Sequence, residues 1–224
     1  MTDGTGAGTR RVRAFCACCR VARLTALLGK VFFAAGLESP FDNALWASDG
    51  TAAGTRRLIG VGGEVSGVLP VPPVVLGGRG LFAPLSYNVD PDLWVSDGTP
   101  QGTEGVASIR RNGWSSSPHA LVPTPAGVRF LVSFGSDRLW DTQGTSETTV
   151  PIDGGWQDAL AALGPLTLGW GIDGLWRVDG TPGGSLRLTP ESEDVVQLEI
   201  AGSRAVFLLR EAAGINLWAS DGTA

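Results

Sequence analysis

Apolar and polar positions alternate over short stretches of this chain, and clusters of glycine, proline and aspartate separate the stretches. Between residues 55 and 96, four such stretches follow one another, at 55–60, 73–76, 81–87 and 92–96. Short alternating stretches that are bounded by turn-forming residues are typical of β-strands. The pattern therefore predicts groups of four strands joined by turns.

The same order of strands is predicted elsewhere in the chain. The segment 149–178 is the shortest, and residues 158–163 fit either a helical turn or a strand. Their position within the repeat favours the strand. The remaining predicted strands are 8–15, 24–28, 30–35 and 44–48, then 103–109, 119–123, 128–134 and 138–142, and finally 185–188, 195–200, 204–209 and 215–220.

A seven-residue motif, Leu-Trp-x-Ser-Asp-Gly-Thr, ends the groups of strands. It occurs at 45–51, 93–99 and 217–223, and in decayed form at 139–145 and 175–181. A partial copy, which lacks the Leu-Trp pair, begins at Asp3, and Gln143 replaces the aspartate in one copy. Counted from Asp3, these positions are 46, 48, 46, 36 and 42 residues apart. Such periods indicate stacked supersecondary units, and a four-stranded propeller blade needs about this length.

We therefore expect an all-β fold: a five-bladed β-propeller of four-stranded antiparallel blades that forms a single domain over residues 1–224. The predicted outer strand at 8–15 has no blade of its own, and the last repeat lacks this strand. Their pairing would close the ring and leave no unpaired edge. The alternative is a fragment of a longer array. The repeats span about 3–48, 49–96, 97–142, 143–178 and 179–224.

The motif has a structural interpretation. Leucine and tryptophan point to opposite faces of their strand, so both faces need cover, and the indole N–H needs a partner. The aspartate accepts a hydrogen bond from the backbone two residues on, and the glycine supplies a positive φ. A ring of calcium-binding aspartates is disfavoured, because calcium needs several oxygen ligands from one loop and each loop offers one carboxylate. The residues with this structural role are Trp46, Asp49, Gly50, Trp94, Asp97, Gly98, Trp140, Trp176, Asp179, Gly180, Trp218, Asp221 and Gly222.

Composition excludes several classes of function. The net charge of −5 argues against nucleic-acid binding, and the pair Arg110 and Arg111 is interpreted as loop charge. Cys16, Cys18 and Cys19 are too close together for a disulfide framework, and His119 is the only histidine, so we expect no metal and no cofactor. Charged residues interrupt the apolar segment 20–37. We therefore expect this segment to be neither a membrane span nor an export signal.

The signature at 45–55 and 93–103, repeated in part at 217–223, resembles that of the bacterial ELWxxDGT-type repeat proteins. Those repeats are predicted β-propellers of exported or cell-surface proteins, so the resemblance implies this architecture and an extracellular or cell-surface location. It implies no catalytic residues. The leading glutamate is replaced in this chain by Ala44, Asp92, Arg138, Gly174 and Asn216.

The residues favour a non-catalytic binding or interaction module. A five-bladed glycoside hydrolase is one alternative, but it needs paired carboxylates on inner strands, where this chain has only Asp158 and Glu199. His119 is interpreted as a lone histidine where a loop meets a strand. Aromatic residues beside polar ones in loops suit carbohydrate or peptide recognition. The candidate ligand-binding residues are Phe41, Asp42, Tyr87, Asn88, Trp114 and Trp156.

The expected partners are a protein or a carbohydrate at a cell surface, and we expect a monomer or a part of a larger chain. Packing of Trp114 and Trp156 between blades is the alternative to their exposure in a binding site. A purely structural segment of a longer extracellular repeat protein is the other alternative to the binding module.

Overall fold

The computed structural model describes residues 4–15, 21–36, 43–60, 72–84, 91–111, 114–116, 118–133, 137–152, 158–171, 174–181, 183–190 and 193–223. These residues contain twenty-one β-strands and no helix. The chain divides into two compact units, Met1–Ser117 and Pro118–Ala224.

The described residues of the first unit form two antiparallel four-stranded sheets, with strands in sequence order in each sheet, and a short ribbon. Sheet 1 consists of β1 (Val21–Leu27), β2 (Lys30–Gly36), β3 (Asn43–Ser48) and β4 (Arg56–Gly60). Sheet 2 consists of β5 (Val74–Leu76), β6 (Arg79–Phe82), β7 (Leu93–Ser96) and β8 (Thr103–Ala107). The ribbon pairs β9 (Arg110–Arg111) with β10 (Trp114–Ser115).

In the second unit, the part of the chain that the structure describes forms three antiparallel sheets, two of four strands and one of three. Sheet 3 consists of β11 (Pro118–Pro123), β12 (Val128–Ser133), β13 (Asp137–Thr142) and β14 (Val150–Pro151). Sheet 4 consists of β15 (Ala159–Leu163), β16 (Leu166–Gly171), β17 (Gly174–Val178) and β18 (Leu186–Arg187). Sheet 5 consists of β19 (Asp194–Ala201), β20 (Arg204–Glu211) and β21 (Gly214–Ser220).

The prediction of repeated antiparallel strands is confirmed, and residues 158–163 contribute a strand rather than a helical turn. Residues 8–15 belong to no strand in the structure, and sheet 5 has three strands, so the predicted closure of the ring by this segment stays a prediction. Arg110 and Arg111 form β9 instead of a loop, since a two-residue strand carries no alternating pattern to detect. Residues 85–87, the predicted end of one strand, lie outside the described residues.

The core of each unit lies between consecutive sheets. Phe32 and Leu45 of sheet 1 pack with Phe82 and Trp94 of sheet 2. The motif leucine therefore faces the following sheet, and the motif tryptophan faces the preceding one. Sheets 3 and 4, and sheets 4 and 5, enclose equivalent clusters. This alternation explains why both large side chains of one strand are buried.

The expected cover from both sides is confirmed for β3 and is wrong for β21. Leu45 and Trp46 are each 2% exposed, whereas Leu217 is 72% and Trp218 is 42% exposed. β21 is the last strand of a three-stranded sheet, and among the residues that the structure describes no fourth strand pairs with it.

Candidate functional site

The motif turn, defined here as Asp-Gly-Thr-x-x-Gly-Thr, is a closed network of short hydrogen bonds. In sheet 1 the Oδ1 atom of Asp49 accepts from the backbone N–H and the hydroxyl of Thr51, both at 2.8 Å. The Thr55 hydroxyl donates to the Thr51 carbonyl at 2.6 Å and lies 2.7 Å from the Ser48 hydroxyl. The predicted bond from the aspartate to the backbone two residues on is therefore confirmed.

The same geometry recurs at Asp97, Asp179 and Asp221. Their Oδ1 atoms accept from the backbone N–H two residues on at 2.7, 2.8 and 2.9 Å. The predicted positive φ of the motif glycine is also confirmed, with 86° at Gly50 and 84° at Gly98. An L-residue adopts this conformation at a cost, so the turn depends on glycine.

The second glycine of the turn is required for a different reason. A Cβ atom built on Gly54 would lie 2.1 Å from Oδ1 of Asp49. The corresponding distances are 2.2 Å from Gly102 to Asp97 and 2.0 Å from Gly184 to Asp179. The aspartate carboxylate occupies the space that any side chain at this position would need, and the two residue types are therefore coupled.

The turn hydrogen bonds keep the motif carboxylates ionised. The backbone N–H of Thr51 lowers the pKa of Asp49, with a further contribution from the Thr51 hydroxyl. At Asp97 the Thr99 hydroxyl is the largest cause of the lowered pKa, followed by the Thr99 backbone N–H. A carboxylate whose pKa is held low is a poor proton donor at neutral pH. These aspartates are suited to holding turns rather than to acid catalysis.

Basic side chains of one sheet cap the motif turn of the next. Lys30 Nζ donates to the Asp97 carbonyl at 2.7 Å. In the second unit, Arg129 Nη1 donates to the Val178 carbonyl at 2.6 Å, and its Nη2 donates to the Asp179 carbonyl. The turns are thus part of the contact between consecutive sheets.

Arg129 is the buried cation of sheet 3, with 8% of its surface exposed. It lies opposite Asp141 across β12 and β13. Burial raises the pKa of Asp141, and the positive charge of Arg129 acts against this increase. The guanidinium bonds mainly to carbonyl oxygens of sheet 4 and to Thr167, so it joins two sheets rather than forming a catalytic pair.

A cavity of 570 Å³ opens on the face of sheet 1 that carries Trp46, and Phe33, Phe15 and Asp49 contribute to its lining. The Phe15 ring is edge-on to Trp46 at 5.2 Å, and the Arg13 guanidinium carbon is 4.7 Å from the Trp46 ring centroid. Residues 13–15 thus cover part of the face that a preceding sheet covers elsewhere in the chain.

β21 presents a second uncovered surface. Ile215, Leu217 and Trp218 are 53%, 72% and 42% exposed. The Trp218 indole N–H donates to a Glu211 carboxylate oxygen at 2.8 Å, and the Asn216 side-chain amide donates to the other oxygen at 2.8 Å. In sheet 1 the Trp46 indole instead donates to the buried carbonyl of Ala35 at 3.0 Å.

The candidate ligand-binding residues are not brought together by the described part of the structure. Phe41, Asp42, Tyr87, Asn88 and Trp156 lie outside the described residues. Trp114 is in β10, where its backbone pairs with Arg111. The proposed recognition site therefore stays a prediction.

The two acidic residues of the predicted inner strands lie in the second unit. Asp158 precedes β15, and its backbone N–H donates to the Trp170 carbonyl at 2.9 Å. Glu199 is in β19 opposite Val206, and His119 is in β11 opposite Leu131. Within the described ranges, no group of three His, Cys, Asp or Glu side chains is arranged to hold a metal ion. Those ranges also contain no helix of the length and apolarity that a membrane crossing requires.

Comparison with solved structures identifies the type of fold. BamB from Moraxella catarrhalis, a propeller protein, superposes with a TM-score of 0.50 at 14% identity, over 94% of this chain and 61% of that chain. Raptor from Chaetomium thermophilum gives a TM-score of 0.46 at 12% identity, over 87% of this chain and 19% of that chain. No protein-family model and no curated protein sequence matches the chain. The five sheets are thus of β-propeller type, and the chain spans about three fifths of BamB.

Proposed function

We propose that this protein is a non-catalytic interaction module of the β-propeller class that binds a protein partner through its diverged loops. The observation that carries this proposal is the internal use of the repeated polar residues. Asp49, Asp97, Asp179 and Asp221 each bond to their own turn, so the repeat maintains the fold. Recognition is then left to the segments that differ between repeats.

The absence of catalysis is part of this proposal. Glycoside hydrolysis needs two carboxylates that flank one bond, and the predicted inner strands provide Asp158 and Glu199 alone. Glu199 is exposed on β19, and Asp158 immediately precedes β15 and lies next to Gly171.

The proposed arrangement is a ring of five blades over residues 1–224, closed when residues 8–15 pair with β21. Two features support it. Val12 and Phe15 line the cavity on sheet 1. In a similar way, Leu58 of the fourth strand β4 packs against Phe82 of the following sheet, sheet 2. In addition, residues 8–11 read Gly-Thr-Arg-Arg, the same as residues 54–57 that lead into β4. The motif resemblance adds the proposal that these are ELWxxDGT-type repeats and that the module acts at a cell surface.

The proposed function is tested by partner capture with matched variants. Purified protein is used to capture surface proteins, and the capture is repeated with Tyr87→Ala and Trp114→Ala. We expect a specific partner to be lost in at least one variant while the melting temperature is unchanged. Lys30→Ala serves as the control, because Lys30 bonds to the Asp97 carbonyl and lies outside the candidate loops.

Two results would contradict the proposal. Hydrolysis of arabinan- or xylan-type polymers would show an enzyme. Binding on a glycan array without any protein partner would show a carbohydrate module, which is the second class of ligand that exposed aromatic residues suit.

A further inference from the structure

The motif turns contain aspartate followed by glycine, a dipeptide that can rearrange chemically without an enzyme. Four of the turns read Asp-Gly-Thr, at 49–51, 97–99, 179–181 and 221–223. In the rearrangement the backbone nitrogen of the glycine attacks the side-chain carboxyl of the aspartate, and a glycine without a Cβ atom leaves this approach open. Because the three residues are identical, the four turns would react at similar rates in an unfolded chain.

The turn hydrogen bond holds the two reacting groups side by side. Oδ1 of Asp179 accepts the Thr181 N–H at 2.8 Å. The ring of atoms that this bond closes runs from the side-chain carboxyl through the backbone nitrogen of Gly180, so the carboxyl is folded back toward the nitrogen that would attack it. Asp49 and Asp97 accept the equivalent bonds at 2.8 and 2.7 Å. The carboxyl is therefore placed in the same way in these turns.

The turns differ in what holds the glycine nitrogen. In sheet 2 the Gly98 N–H donates to the Ser96 hydroxyl at 2.9 Å, and the corresponding bonds in sheets 1 and 5 are both 3.0 Å. Attack requires the nitrogen to lose this proton, so a bond that holds the proton opposes the reaction. In sheet 4 the position of the serine is occupied by Val178, which has no hydroxyl to offer Gly180.

The other contacts of this peptide bond are matched between sheets 2 and 4. The Asp179 carbonyl accepts from the Arg129 guanidinium, and the Asp97 carbonyl accepts from Lys30 Nζ at 2.7 Å. A cation at this carbonyl makes the adjacent N–H more acidic, and both turns have one. Hydrogen bonds from the threonine two residues on lower the pKa of both carboxyls. Val178 in place of serine is therefore the difference that acts on the nitrogen.

We propose that Asp179 is a site of spontaneous isoaspartate formation, because Val178 supplies no hydroxyl to hold the nitrogen of Gly180. The nitrogen loses its proton and bonds to Cγ of Asp179, and one carboxyl oxygen leaves as water, which produces a cyclic imide. A second water then adds to the imide and breaks one of its two C–N bonds. Cleavage at the backbone carbonyl of Asp179 gives isoaspartate, whose main chain runs through Cγ and is one methylene longer.

This modification opens the turn in sheet 4. The Asp179 carboxylate accepts from both the N–H and the hydroxyl of Thr181, each at 2.8 Å. In isoaspartate the same Cγ belongs to the main-chain peptide, so the carboxylate that closes the turn is lost. Asp179 is exposed, so water reaches the imide in the folded protein.

The proposal is tested by measuring isoaspartate at all four turns of the parent protein. The purified chain is incubated at neutral pH for several weeks and digested, and isoaspartate is quantified by mass spectrometry with electron-transfer fragmentation. We expect it to form about fivefold faster at Asp179 than at Asp97, which is the effect of one hydrogen bond on a rate. Equal rates at the two positions, or a faster rate at Asp97, would refute the proposal.

Incubation in denaturant separates the effect of the structure from that of the local sequence. In the unfolded chain no hydroxyl is held against a glycine nitrogen, so we expect similar rates at Asp49, Asp97, Asp179 and Asp221. A rate at Asp179 that is also about fivefold faster in denaturant would show that neighbouring residues cause the difference, which contradicts the role given to the folded turn.

Val178→Thr adds the hydroxyl with little change of shape. Threonine can take this role, because the Gly144 N–H donates to the Thr142 hydroxyl at 3.0 Å. We expect the rate at Asp179 in this variant to fall to the rate at Asp97. Val178→Ala is the control, since it changes the same buried position without adding a hydroxyl, and it should not slow the reaction. An equal decrease in both variants would refute the role of the hydroxyl, and the parent measurement decides if either variant fails to fold.

Discussion

The turn at residues 97–103 and the turn at residues 143–149 solve one structural problem with different residues. In the first, Oδ1 of Asp97 accepts the Thr99 N–H at 2.7 Å, and Gly102 leaves room for the carboxylate. In the second, Gln143 replaces the aspartate and Thr148 replaces the glycine. The Thr148 hydroxyl then accepts the Thr145 N–H at 3.3 Å and the Gln143 N–H at 3.1 Å.

The rest of the two networks is the same. The Thr103 hydroxyl donates to the Thr99 carbonyl at 2.6 Å, and the Thr149 hydroxyl donates to the Thr145 carbonyl at 2.7 Å. The motif glycine keeps a positive φ in both, with 84° at Gly98 and 94° at Gly144. The comparison teaches that the aspartate and the second glycine form one unit, which this chain has replaced as a unit.

The largest expected effect follows from breaking this unit at one position. Gly102→Thr places a side chain where the Asp97 carboxylate lies, 2.2 Å from the built Cβ. We expect the free energy of unfolding to fall by about 3 kcal/mol, and the melting temperature by about 9 °C. Thermal unfolding followed by circular dichroism measures the change.

Gly6→Thr is the matched control, because a Cβ on Gly6 has no neighbour within 4 Å. We expect this variant to stay within about 0.5 kcal/mol of the parent. If both threonine variants lose the same stability, the carboxylate contact does not explain the second glycine.

The second expected effect is a partial recovery. Asp97→Gln added to Gly102→Thr reproduces the residue pair Gln143 and Thr148, so we expect the double variant to regain about 1–2 kcal/mol over Gly102→Thr alone. Denaturant unfolding of the two single variants and the double variant gives the coupling energy. Additive losses would show that the turns at 97–103 and 143–149 differ for reasons outside these two positions.

The smallest expected effect concerns pH. Because the pKa of Asp97 is lowered from 3.8 in the folded state, its contribution to stability is present above pH 3.8 and is lost as the pH falls through the folded pKa. Asp97→Asn removes this titration and keeps an acceptor for Thr99, so stability should fall less steeply below pH 4. Gln143→Asn changes the corresponding position of the other turn, which carries no carboxylate, and should leave the acid limb unchanged. Equal acid limbs in the parent and Asp97→Asn would contradict the prediction.

Much of the fold could be predicted because its determinants are local. The Asp-Gly-Thr signal, the alternation around Trp46 and the repeat length depend on neighbours in sequence, and these predictions match the strands and turns. The motif shows that Gly54 accompanies Asp49, but it does not show why. The reason is that the two residues lie next to each other in the folded turn. The ribbon of β9 and β10 carried no periodic signal and was missed.

The candidate site was less accessible to sequence reasoning. Aromatic residues in loops indicate recognition only when they converge on one surface, and Trp114 is the one candidate whose backbone the structure describes. The caps from Lys30 and Arg129 to turns of the next sheets were not predicted, because lone basic residues in strands resemble solvated charge.

The sequence by itself determined the repeat, the strand order within each sheet and the turn chemistry, since all three arise from residues close together along the chain. Only the tertiary structure decided which motif tryptophans are covered. Trp46 and Trp218 stand in the same motif, yet one is 2% and the other 42% exposed. Burial depends on the sheet or strand that packs against a residue, and a local motif carries no information about that neighbour.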